Sequence, residues 1–187
     1  MELTKKQMGT LRKIMRREEK AYDPQKMFCR PGIHPCGLGC LITDGQVSVI
    51  LNRSPENLPA GGRMDSLARA VSRECGSGSY YLLEAPTLEG DPVELTVTRR
   101  GKLQVSGQFD PRCLRDALEI AGSGARLCLG FPPRPSSAPS LLVEPGPKSR
   151  ERGVLIIRIA ALKQPYGQEG TLYEDGFCRA AGCDWEE

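Results

Sequence analysis

Aromatic side chains are scarce in this chain, with 4 Phe, 5 Tyr and a single Trp among 187 residues. Proteins that hold single-stranded nucleic acid by base stacking gather several aromatics on one surface, so that mode of binding is disfavoured. Histidine is scarcer still. The only one is His34, which leaves a histidine base or a multi-histidine metal site one candidate and no spare. Apolar runs are short: stretches such as 80–83 and 155–157 fall far below the ~20 residues that cross a bilayer. The first residues include Glu2, Lys5 and Lys6 rather than the apolar core of a secretory leader, so the expectation is a cytoplasmic protein with no membrane partner. A strong excess of charge of one sign is also missing. Lys and Arg number 26 against 23 Asp and Glu, a net charge of +3, so any nucleic-acid role must come from where the charges lie. With 39% hydrophobic and 26% charged residues, the chain has the composition of a globular protein with a real core.

Cysteine, by contrast, is abundant, with 8 in the chain. Cys29, His34, Cys36 and Cys40 fall close together, and Cys178 and Cys183 pair near the C-terminus. The spacings approach a Cys-x₂₋₄-Cys zinc knuckle without matching a common finger, and Cys40 lies where a strand is expected. Structural zinc, reduced buried cysteines and disulfides all stay open, although a reducing compartment disfavours the last. No other cofactor is expected. His34 is a candidate base for a Cys29 or Cys36 nucleophile on sequence proximity alone. Cys113 and Cys128 read as packing residues. The Gly-x-Gly stretches at 37–39, 76–78 and 122–124 lack a phosphate-loop signature, and Asp65, Glu74, Glu84 and Glu89 form no paired-carboxylate motif. The sequence therefore points to a non-enzymatic protein.

Residues 4–20 have the clearest helical period, with Met8, Leu11, Ile14 and Met15 on one side. The opposite side carries two basic rows, Lys5, Arg12 and Arg16 beside Lys6, Lys13 and Arg17, with Glu18 and Glu19 only at the C-terminal end. An ordinary solvated surface and a stripe facing a polyanion both fit. Downstream, apolar runs at 36–43 and 46–52 flank Asp44-Gly45, which predicts a hairpin with a two-residue type I′ turn. A short helix is expected over 64–74 with Leu67, Ala70 and Val71 inward, then a strand over 80–84. The alternating segments 93–98 and 102–108 predict a second hairpin around Arg99-Arg100-Gly101. Asp110 and Pro111 then open a helix that buries Leu114 and Leu118 and ends at Gly122. Strands follow at 126–131, 141–144 and 153–162, with 145–152 as a turn. The expected fold is α+β, antiparallel sheet with helices on one face.

The segment GQFDPRCLRDALEIAGSGARLCLGFPPRPSSAPSLLVEP, with RGVLIIRIAAL after it, resembles the module of bacterial DNA polymerase sliding clamps (beta clamps). It shares a Phe-Asp-Pro entry to a helix reading Leu-x-x-Ala-Leu, a following strand, a Pro-x-Leu-Leu strand and a final hydrophobic strand. The N-terminal helix followed by GCLITDGQVSVILN is similar to the start of such a module. The resemblance implies a clamp-like domain over 1–162 with two helices on one face, an insertion at about 54–91, and a tail at 163–187. It also implies a processivity factor in DNA replication whose helices meet the duplex backbone. Lys5, Lys6, Arg12, Lys13, Arg16 and Arg17 would contact phosphates, joined by Arg112 and Arg115 on the second helix. A polymerase or other replication protein would be the tethered partner; the alternative is an interaction or regulatory module that does not encircle DNA. Because the chain is far shorter than a clamp subunit, closure through an unpaired end strand at 155–159 is expected to give a homo-oligomer or a hetero-complex.

Overall fold

The computed structural model describes residues 2–25, 30–76, 80–130 and 138–162. In chain order the elements are α1 (Lys5–Ala21), β1 (His34–Cys36), β2 (Gly39–Thr43), β3 (Val47–Leu51), α2 (Asp65–Gly76), β4 (Tyr80–Leu82), β5 (Val93–Arg99), β6 (Lys102–Phe109), α3 (Pro111–Ala121), β7 (Arg126–Gly130), β8 (Ser140–Glu144), α4 (Pro147–Glu151) and β9 (Val154–Ala160). The fold is α+β. Seven strands form one antiparallel sheet in the order β1-β2-β3-β9-β8-β7-β4, and β5 and β6 pair as a separate hairpin.

Strand alternation sorts the apolar side chains onto the two faces of the large sheet. Ile42, Val49, Leu51, Leu129, Leu141, Val143, Ile157 and Ile159 join Leu11, Ile14 and Met15 of α1 and Leu114, Ala117 and Ile120 of α3 in the main core. The hairpin closes that core with Val93, Leu95, Val97, Val105 and Phe109. On the opposite face, Leu41 and Ile50 pack with Ala68 and Val71 of α2 in a smaller cluster. Two helices thus share one face, as the period predicts, while the segment at 54–91 supplies α2 to the other face and β4 to an edge of the sheet.

Local chemistry sets the helix ends. Thr4 and Gln7 form a reciprocal capping box at the start of α1. Asp110 caps α3 through the Arg112 amide, with Pro111 in the first turn. The Gln7 side-chain amide also donates to the Ile120 carbonyl at 2.7 Å and to Ser149 Oγ at 2.9 Å, which joins the start of α1 to the end of α3 and to α4.

Several expectations need correction. The strand expected at the sheet edge is an inner one: β9 is paired to β3 on one side and β8 on the other. Its hydrophobicity therefore reflects burial between neighbours, and the unpaired edge expected at 155–159 is absent. The turn Asp44-Gly45 is a three-residue loop over 44–46 with only Gly45 at positive φ (89°). The Asp44 carboxylate accepts from the Gln46 and Val47 amides there, replacing the type I′ geometry with an Asx turn. Ala68 rather than Ala70 faces inward on α2, and Leu118 is half-buried. The turn at 145–152 contains the short helix α4.

Candidate nucleic-acid interface

The basic residues of α1 divide into two rows that meet different neighbours. The row beside α3 is neutralised from below. Lys6 Nζ lies 3.4 Å from Glu119, Lys13 Nζ lies 2.8 Å from Asp116, and Arg17 contacts both Asp44 and Asp116 at 2.6 Å. The acids sit deep while the lysines stay outermost: the Lys13 side chain is 55% exposed and that of Asp116 only 4%. Burial alone would lower the Arg17 pKa, but its hydrogen bonds to Asp116 and Asp44 and their charges hold it above its ordinary value. These contacts pin the two helices together across the sheet.

The other row, Lys5, Arg12 and Arg16, is exposed, and among the described residues it has no ion-pair partner. Its two arginines border a groove of about 600 Å³ whose walls include Arg12, Arg16, Tyr22, Arg30, Asn57 and Leu58. A second hollow of about 280 Å³ shares Arg12 and Asn57 and adds Arg53 and Arg152. Asn57 adopts a left-handed conformation (φ 63°), which its short polar side chain tolerates better than most. Glu19 lines the larger groove and Glu2 and Glu56 the smaller, so arginine dominates without being alone.

The far wall of the larger groove is held by a buried ion pair. Glu18 and His34 are 2% and 0% exposed in their side chains, and Glu18 Oε1 meets His34 Nε2 at 2.6 Å. His34 Nδ1 faces the Gly62 carbonyl at 2.8 Å, and Glu18 Oε2 accepts the Gly32 N–H at 3.0 Å. Both ring nitrogens thus face oxygen acceptors, an arrangement that the doubly protonated imidazolium satisfies in full. Burial would lower the His34 pKa, yet the Glu18 hydrogen bond, the Gly62 carbonyl and the Glu18 charge together raise it above its ordinary value. Around this pair, Ile33 and Ala60 form a parallel bridge, and Gly62 N–H donates to the Arg30 carbonyl at 3.1 Å. A Cβ at Gly61 would come within 2.9 Å of the His34 ring, so only glycine fits without displacement.

Of the candidate zinc ligands, Cys29 lies outside the described residues, as do Cys178 and Cys183. His34 has both nitrogens engaged, and the buried Cys40 thiol donates to the Arg53 carbonyl at 3.3 Å. Burial, with the nearby Cys36 adding to it, pushes the Cys40 thiol up to about 12. Among the described residues, no group of three or more His, Cys, Asp or Glu is arranged to hold a metal, and Cys36, Cys40, Cys113 and Cys128 are free thiols. The His34–cysteine nucleophile pairing gains no geometry, since the imidazole is turned to Glu18 and Gly62. Cys113 is a packing residue as expected, 3% exposed, its thiol raised to about 11 by burial.

On α3, Arg112 folds back onto its own cap, with Nη2 2.8 Å from Asp110, whereas Arg115 is exposed without an ion-pair partner among the described residues. Asp110 is accordingly held below the usual carboxylate range, chiefly by the Arg112 side-chain hydrogen bond. The two acids of α3 itself, Asp116 and Glu119, bind cations of α1. Two signals for the missed residues exist in the sequence. Glu18 continues the three-and-four spacing of Leu11, Ile14 and Met15, and Asp116 lies between Cys113 and Ala117 on the buried side of α3.

No family model, curated protein or solved structure matches the chain. Among the described residues, no helix is long and apolar enough to cross a membrane.

Proposed function

We propose that this chain is a non-enzymatic, sliding-clamp-like module that contacts the backbone of duplex DNA through α1 and tethers a polymerase or other replication protein in the cytoplasm. One observation supports the proposal: Lys5, Arg12 and Arg16 form an exposed row with no ion-pair partner among the described residues, on a helix that lies beside a second helix across one face of an antiparallel sheet. Lys6 and Lys13 add outermost ammonium groups above the half-buried Glu119 and the buried Asp116, and Arg115 extends the basic surface onto α3. Cations on a rigid helix bind phosphates without reading bases, which suits a protein that must move along DNA. The reading requires no cofactor. In the test, two unrelated duplexes of equal length are titrated with the chain and with its Arg12→Glu/Arg16→Glu variant. Equal affinity for the two duplexes, with a marked loss in the variant, is the expected result; unchanged binding by the variant removes α1 from the DNA interface.

A second reading, an interaction module that does not encircle DNA, is favoured by the sheet edges. Among the described residues the edge strands β1 and β4 span three residues each, and β1 contains Pro35, which cannot donate to a neighbouring strand. Light scattering separates the two: a ring requires a mass above that of the monomer, either alone or with an added partner.

A further inference from the structure

We infer that the groove between α1 and the 30–32 and 57–60 segments is a phosphate site in which Arg30 joins Arg12 and Arg16 as a third guanidinium. The inference rests on the proposed DNA reading for the origin of the phosphate, but its geometry is independent of it. Arg12 and Arg16 come from successive turns of one helix, and Arg30 comes from the segment opposite, so the three cations line a single groove of about 600 Å³ from two sides. Guanidinium groups present forked N–H donors suited to phosphate oxygens, and convergence from two elements gives a grip that one exposed row lacks. Arg30 is exposed, and among the described residues its side chain has no ion-pair partner. Glu19 is the acid on the rim of this groove.

The buried ion pair explains why Arg30 is held there. Glu18 accepts the Gly32 N–H and pairs with His34, while Gly62 N–H donates to the Arg30 carbonyl. The backbone that carries Arg30 is therefore fixed to the same helix that carries Arg12 and Arg16. Glu18 is a positioning residue for this site: it sets the far wall at a fixed distance from α1 without facing the ligand. Arrangement before binding spares the ordering cost of recruiting a free loop.

The test follows the backbone amide resonances of Arg12, Arg16, Arg30, Gly32 and Ala60 in the isotope-labelled full chain, titrated separately with a short duplex and with inorganic phosphate. Saturable shifts at these amides with both probes, abolished by Arg30→Ala, are expected. Arg30→Ala should also lower the slope of log affinity against log salt for the duplex by roughly 0.9, the value for one neutralised phosphate. Glu18→Gln should weaken duplex binding in the wild-type chain and add nothing in the Arg30→Ala background, a non-additivity that general destabilisation would not give. Shifts with phosphate alone support the groove and remove the DNA reading. Shifts confined to Arg12 and Arg16 with duplex, and none with phosphate, overturn the groove and leave the DNA reading in place. Silence with both probes overturns both.

Discussion

The two basic flanks of α1 have similar composition and different surroundings. Lys6, Lys13 and Arg17 rest on Glu119, Asp116 and Asp44, whereas Lys5, Arg12 and Arg16 make no such pair and the two arginines line a groove that also holds Arg30. A charge that meets a buried acid becomes part of the packing between α1 and α3. A charge held in no ion pair keeps its hydrogen-bond donors free, even with Glu19 on the same groove. A basic helix therefore has no single function; its neighbours assign one to each row.

The line between the flanks gives the largest expected effect. Below about pH 6.5, where the raised pKa keeps His34 protonated, Glu18→Ala leaves the imidazolium without its buried partner and should cost about 3–5 kcal/mol, read from denaturant unfolding. His34→Ala in the same chain should add less than its own single cost, since the charge that Glu18 balanced is gone. Next is the α3-facing flank. Asp116→Ala strips Lys13 and Arg17 of a shared buried acceptor and should cost about 1–3 kcal/mol, with the partly exposed cations regaining some hydration. The groove-facing flank should then behave in the opposite way: Arg12→Ala/Arg16→Ala should change unfolding free energy by less than about 0.5 kcal/mol while weakening duplex binding. If that pair destabilises the fold as much as Asp116→Ala does, the distinction between the flanks collapses.

The smallest expected effect is a dependence on pH. His34 has a pKa raised above its unfolded value of about 6.5, so its pairing with Glu18 contributes fully below that pH and is lost as pH rises through the folded-state value. Melting temperatures across this window should fall toward higher pH in the wild type and be flatter in Glu18→Gln. A matching slope in both chains would assign the dependence to other groups.

Much of this arrangement is legible in the sequence, because it depends on local patterns. The α1 stripe, the capping of α3 by Asp110 and Pro111, and the alternation that gives β5 and β6 follow from spacing and turn residues alone. The exposure of Arg12 and Arg16 also follows from the helical period. What stays hidden depends on contacts between distant segments. Glu18 looks misplaced at a helix C-terminus until His34 and Gly32 are packed under it, and Asp116 looks like a neighbour of Arg115 until Lys13 arrives from another helix. The position of β9 is hidden for a related reason: a strongly apolar strand fits an unpaired end and a central place equally well, and only the pairing with β3 and β8 decides.

The division between the two flanks is read from duplex affinity across a salt series, with wild type compared against Arg12→Ala/Arg16→Ala and Lys6→Ala/Lys13→Ala. Removing the two arginines should lower the slope of log affinity against log salt by roughly 0.9 for each phosphate left without its cation, on any duplex sequence. The lysine pair, already balanced by Glu119 and Asp116, should lower it less. A wild-type slope in the arginine variant, or a larger drop in the lysine variant, would contradict the assignment of the groove-facing row to DNA.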